Sequence, residues 1–137
     1  MCQAIKFHIN DHLITFRFTD LKACLPVRMQ NGNIMLVPWG RKEPGHPSYP
    51  IGNTAHLDRV RAQQWRHYWP KFVQIACEAY LLMNKEGQEQ WYDLKPVQYI
   101  KGLVATAFGD DRVYILMRNP EILDPEGHTE WPVLNYP

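Results

Sequence analysis

MCQAIKFHINDHLITFRF (residues 1–18) decides the fold class. From Cys2 to Ile9 the chain alternates, with Ala4, Lys6 and His8 on one side and Ile5, Phe7 and Ile9 on the other. A period of two is a strand pattern, because successive side chains of an extended chain point to opposite faces. Asn10-Asp11 supplies a turn. Leu13 to Phe18 then returns as Leu-Ile-Thr-Phe-Arg-Phe, rich in the β-branched and aromatic residues that fit a pleated surface. The opening is predicted to be an antiparallel hairpin.

The same signals recur along the chain. Cys24 to Met29 and Ile34 to Trp39 flank Gln30-Asn31-Gly32-Asn33, whose Asn-Gly pair marks a second hairpin. Gly40 to Asn53 holds Pro44, Pro47 and Pro50 with Gly45 and Gly52, a density that precludes a helix or an interior strand. Leu57 to Trp69 is the one predicted helix, with Val60, Trp65 and Trp69 inward, arginines outward, and Pro70 ending it. Phe72 to Met83 is apolar enough for one or two buried strands, followed by a turn at Asn84–Gly87. Gln90 to Leu94, Gln98 to Ala107 and Arg112 to Met117 complete the strands. The pattern predicts a single domain over residues 1–137, of α+β class, mostly antiparallel β and curled toward a barrel.

Composition narrows the function classes. The chain has 137 residues and a net charge of +1, so overall charge does not point to nucleic acid. No window approaches the roughly 18 apolar residues of a membrane span, and Lys6, His8 and Asp11 interrupt any secretory apolar core. A cytoplasmic protein without a membrane partner is the expectation. Three widely spaced cysteines, Cys2, Cys24 and Cys77, give no disulfide framework. They form no Cys/His ligand series with the six histidines, so neither a metal site nor a cofactor is predicted. The middle of the chain is basic: Arg41, Lys42, Arg59, Arg61, Arg66 and Lys71 face only Glu43 and Asp58 there. With Trp39, Trp65, Tyr68 and Trp69 interleaved, such a segment suits phosphate contacts and base stacking, and equally suits a solvated helix with a buried aromatic face.

Cys2 carries the most specific chemistry. An N-terminal cysteine, exposed by removal of Met1, places an amine and a thiol on adjacent carbons, both partly nucleophilic near neutral pH. That pair can take up an aldehyde as an imine and close a thiazolidine, or serve as an N-terminal nucleophile in amide hydrolysis.

Five blocks occur in order along the chain: Met1-Cys2-Gln3-Ala4, Val37-Pro38-Trp39-Gly40, Asn53-Thr54-Ala55-His56, Ala76-Cys77-Glu78-Ala79-Tyr80-Leu81-Leu82-Met83, and His128-Thr129-Glu130-Trp131-Pro132. Their order and spacing resemble the SRAP (SOS-response-associated peptidase) family, over most of the chain. The resemblance implies a barrel-like fold and a protein that senses abasic sites in single-stranded DNA and crosslinks to them through Cys2; a monomer is expected. It implies that Asn53 bonds the N-terminus or the developing oxygen, and that His128 shuttles a proton. Ala4, Ala55 and Glu130 stand where the family has arginines, and Leu82 stands where it has a glutamate. Glu78, four residues earlier, is the candidate replacement. The expected site is therefore Cys2, Asn53, His128 and Glu78, with Trp39, Arg41, Arg59, Arg61 and Arg66 on DNA. The alternatives are a non-catalytic relative that binds DNA or another partner, and a cysteine-type self-processing peptidase.

Overall fold

The computed structural model describes residues 2–42 and 49–137. Within the proline-rich stretch predicted to be irregular, residues 43–48 lie outside the described residues, as does Met1. The described chain is mostly β, with twelve strands, one short α-helix and one 3-10 turn.

A four-stranded antiparallel sheet has the order β2-β1-β7-β8, from β1 (Cys2–Ile9), β2 (His12–Arg17), β7 (Ala79–Met83) and β8 (Glu89–Asp93). The turn joining β1 and β2 holds Asn10 and Asp11 at φ of 50° and 65°, the left-handed pair that matches strand twist in a two-residue hairpin. The larger sheet runs β11-β10-β9-β6-β3-β4. Its members are β3 (Cys24–Arg28), β4 (Ile34–Pro38), β6 (Lys71–Ile75), β9 (Tyr99–Ala107), β10 (Asp110–Arg118) and β11 (Trp131–Pro132). β12 (Leu134–Asn135) pairs with β9, and β5 (Thr54–His56) pairs with β10 in parallel. A single parallel bridge, Trp39 with Val113, brings the end of β4 back to β10. One bridge is not a ladder, and the sheet is not closed into a barrel.

Burial on both faces explains the apolar runs in β9 and β10. Val113, Ile115 and Met117 face the main core between the sheets, where Ile5, Phe7, Tyr80 and Leu82 meet them. Tyr114 and Leu116 alternate to the opposite face, where Ala55, Trp65 and Leu103 form a second cluster. The segment Ala76-Cys77-Glu78 carries the chain from the large sheet to the small one. Its ends are pinned by Ala76 N–H to Pro26 O at 2.9 Å and Glu78 N–H to Lys6 O at 2.8 Å.

The predicted helix over Leu57–Trp69 is corrected: α1 covers only Leu57–Arg61, and a 3-10 turn, Arg66–Tyr68, follows. Leu57 and Val60 pack on the second cluster, but the next positions on that helix face, Arg61 and Gln64, are polar and exposed. Gln63 adopts a left-handed φ of 64°, which ends the helix and turns Trp65 back onto Tyr114, ring centres 4.9 Å apart. Trp69, expected inward, is exposed.

Gly40 fixes the approach of β4 to β10. Its φ is 59°, and a Cβ there would stand 2.2 Å from the Gly52 carbonyl oxygen and 3.0 Å from the Asn53 Cα. Gly32, in the second hairpin turn, shares a positive φ but has nothing within 4 Å. Gly40→Ala should therefore cost about 3 kcal/mol or more, against about 1 kcal/mol for Gly32→Ala. Urea denaturation of the two variants checks this, and equal losses would refute the close approach.

Candidate functional site at the start of β1

Cys2 lies inside the protein because of a β-bulge. The ladder between β1 and β7 pairs Cys2 with Leu82 and Ala4 with Leu81, so two steps on β1 oppose one on β7. In an unbroken strand Cys2 would share the face of Ala4. The bulge reverses that parity and turns Cys2 to the face of Ile5 and Phe7, where it joins the main core with no exposed surface. Burial deprives a thiolate of solvation and pushes the thiol pKa up to about 12. Its Sγ has only a weak contact, 3.7 Å to the Ala4 carbonyl oxygen.

Asn53 holds the main chain of Cys2. Its Nδ2 donates to the Cys2 carbonyl oxygen. The Asn53 backbone carbonyl accepts twice, from the Trp39 indole N–H at 3.0 Å and from the Ile115 N–H at 3.1 Å. Asn53 is buried, and among the described residues its Oδ1 has no hydrogen-bond partner. An orphaned buried acceptor is expensive, so it marks a place where a donor is wanted.

His128 reaches the same end of β7. The loop carrying it is tied by Lys85 N–H to Gly127 O at 2.8 Å, and the Met83 backbone, one residue beyond the ladder partner of Cys2, faces the ring. Nε2 of His128 bonds the Tyr92 hydroxyl at 2.9 Å, whereas Nδ1, also buried, makes no bond of normal geometry. Burial lowers the His128 pKa, the Met83 backbone opposing that only in part. That shift favours the neutral ring, which can accept a proton. Burial also raises the Tyr92 pKa, so that hydroxyl keeps its proton. His128 closes an aromatic box with Tyr80, Tyr92 and Trp131, the rings of Tyr92 and Trp131 being 4.9 Å apart and those of His128 and Trp131 5.4 Å.

The structure thus joins Cys2 to Asn53 directly and sets His128 nearby through Met83. No hydrogen bond links His128 to either among the described residues. Glu78 is not brought to them. It precedes β7 rather than lying in it, so strand parity does not carry it to the face of Leu82; its exposed carboxylate pairs with His8 instead. The position across from Cys2 is filled by Leu82, apolar and fully buried.

The residues expected on DNA separate. Trp39 is corrected: it is 1% exposed, its indole N–H is committed to Asn53 and its ring packs on Phe18, so it presents no face for a base. Arg41 is half-buried and donates from Nη1 to the Tyr49 carbonyl at 2.7 Å. Arg59, Arg61 and Arg66 are exposed on the helical layer, which covers the face of the large sheet opposite the core that holds Cys2. Tyr80, Tyr92 and Trp131 were not singled out from sequence. Trp131 stands three residues after His128, but only the fold shows that two tyrosines from adjacent strands complete the box.

Among the described residues no group of three or more His, Cys, Asp or Glu side chains could hold a metal ion, and no helix is long and apolar enough to cross a membrane. Comparison with known proteins finds no family model, no curated protein and no solved structure that matches the chain.

The depressed His128 pKa has a sign. A folded value below the ordinary 6.5 means that the folded state binds fewer protons than the unfolded one, so stability is lost as pH falls through 6.5. Between about pH 8 and about pH 5, wild type should lose more stability than His128→Asn, read from urea midpoints. Parallel losses in the two proteins would show that the ring does not titrate with folding.

Proposed function

We propose that this protein is a short SRAP-like domain with a barrel-like fold. Once Met1 is removed, it captures abasic sites in single-stranded DNA through Cys2. The supporting observation is Asn53, which grips the Cys2 carbonyl and leaves a buried Oδ1 without a donor. An α-amine created at Cys2 is a donor suited to that acceptor, and the neutral His128 ring is suited to relaying its proton.

The reaction needs no cofactor and balances without redox change. The Cys2 amine attacks the aldehyde carbon of the ring-opened sugar, the carbonyl electron pair going to oxygen. His128 carries two protons in turn from the nitrogen to that oxygen, so water leaves and an imine remains. Sγ then bonds the imine carbon while its proton passes to nitrogen, closing the thiazolidine with one water released overall. A thiol pKa near 12 keeps Cys2 protonated in the core, so the amine reacts first and the thiol adds as S–H.

A second reading, a non-catalytic relative that binds DNA, is favoured by Leu82. An apolar, fully buried side chain occupies the place across from Cys2 where the family carries a carboxylate.

Protein whose Met1 loss is verified by intact mass is incubated with an abasic-site oligonucleotide. A heat-stable adduct is expected. Cys2→Ser should lose that adduct, and Asn53→Ala should form it on the order of 10- to 100-fold more slowly. Salt-sensitive binding with no adduct would support the second reading, and an undiminished adduct in Cys2→Ala would sink the first.

A further inference from the structure

A cavity lies beyond Trp39 from Asn53. Its volume is about 440 Å³, and four of its lining side chains are cationic: Lys22, Arg41, Lys42 and Arg112. No carboxylate lines it among the described residues. Lys22, Lys42 and Arg112 also make no ion pair among them.

Three of the four cations make contacts that position them. Arg112 donates from Nη1 to the Gly40 carbonyl at 3.3 Å, and its guanidinium lies 5.5 Å from the centre of the Tyr49 ring. Arg41 donates to the Tyr49 carbonyl, and the Lys42 ammonium stands 5.7 Å from the Phe18 ring centre. For Arg112 and Lys42 these are ring contacts and a backbone carbonyl, which leave their charge in place among the described residues. Burial lowers the Lys42 pKa; the nearby Asp20 opposes this, and Arg112 adds to it. Like charges gathered in a partly desolvated pocket repel, and an anion placed between them relieves that repulsion while gaining charge-assisted hydrogen bonds. Arg112 brings a planar guanidinium and Lys42 a point charge, the usual pair for phosphate.

We propose that this cavity, walled by Trp39 and holding Lys42 and Arg112, is a binding site for a phosphate group. The ligand class is a phosphate ester, supplied either by a nucleic-acid strand or by a free small molecule. The site does not depend on Cys2 reacting, so it stands or falls apart from the crosslinking activity.

Cys24 provides the readout. It is the one half-exposed cysteine of the three, the others being buried, and it lines this cavity. Iodoacetamide labelling of Cys24 in the Cys2→Ser protein is followed by peptide mass spectrometry. The probes are inorganic phosphate, a nucleoside monophosphate and an undamaged oligothymidylate, each compared with chloride at equal ionic strength. Near saturation, a phosphate ligand should slow labelling about tenfold. Protection by the oligonucleotide alone assigns the site to a strand, and protection by either small phosphate alone assigns it to a free ligand. Arg112→Gln and Lys42→Gln should each weaken protection on the order of tenfold, with Lys42→Arg retaining it. The proposal is overturned if no phosphate probe protects Cys24 beyond the chloride control. It is equally overturned if protection persists undiminished in a folded Lys42→Gln, Arg112→Gln double variant.

Discussion

Asn53 ties the two sheets together because each end of the residue reaches a different part of the chain. Its side-chain amide bonds the first strand of the small sheet at Cys2, while its carbonyl accepts from Ile115 in the large sheet and from Trp39 at the end of β4. Three segments distant in sequence meet at one buried residue. Neutral hydrogen bonds each contribute about 1 kcal/mol net, but leaving such partners unpaired inside the protein costs about 1–3 kcal/mol each. The arrangement is therefore held less by what it gains than by what any alternative loses. Gly40, whose close approach to Gly52 and Asn53 admits no side chain, sets the backbone path that makes the meeting possible.

The bulge after Cys2 acts on the same corner. It exchanges an unpaired step in the ladder for a thiol inside the core rather than on the face of Ala4. Burial makes that thiol unreactive as found, since a thiolate there is deprived of solvent. The chemistry open to the chain start lies accordingly with a main-chain amine more than with sulfur, and Asn53 and the Tyr92–His128 pair are suited to hydrogen bonds and proton transfer. Leu82 supplies bulk in place of charge, so nothing across the ladder stabilises a cation at Cys2.

Strands long enough to show their period were legible in the sequence. The Cys2–Ile9 and Leu13–Phe18 alternation, the Asn-Gly turn and the run ending at Ala107 appear close to where they were expected. β5, β11 and β12 are two or three residues long, too short for any period, and exist because neighbouring strands offer unpaired backbone. The helix was overestimated because arginines and tryptophans at mixed spacing resemble an amphipathic pattern, while Gln63 gives no local sign of its left-handed backbone. At the site, Cys2, Asn53 and His128 were named through a resemblance, and two of them are joined by a hydrogen bond. Glu78 failed because its role assumed that β7 began one residue earlier. Trp39 failed because exposure is decided by the returning end of β4, which no local pattern records.

The basic middle of the sequence illustrates how folding redistributes a one-dimensional charge run. Arg59, Arg61 and Arg66 go to the helical layer over the second cluster, where water screens them and Glu130 shares a cavity with Arg59. Arg41 and Lys42 go instead to the cavity beyond Trp39, joined there by Lys22 and Arg112 from distant sequence and by no lining acid among the described residues. Trp39 is common to both neighbourhoods of interest: its indole N–H holds Asn53, and its ring walls the cationic cavity. The cationic cavity and the Asn53–Cys2 corner thereby share one structural support, the Trp39 side chain.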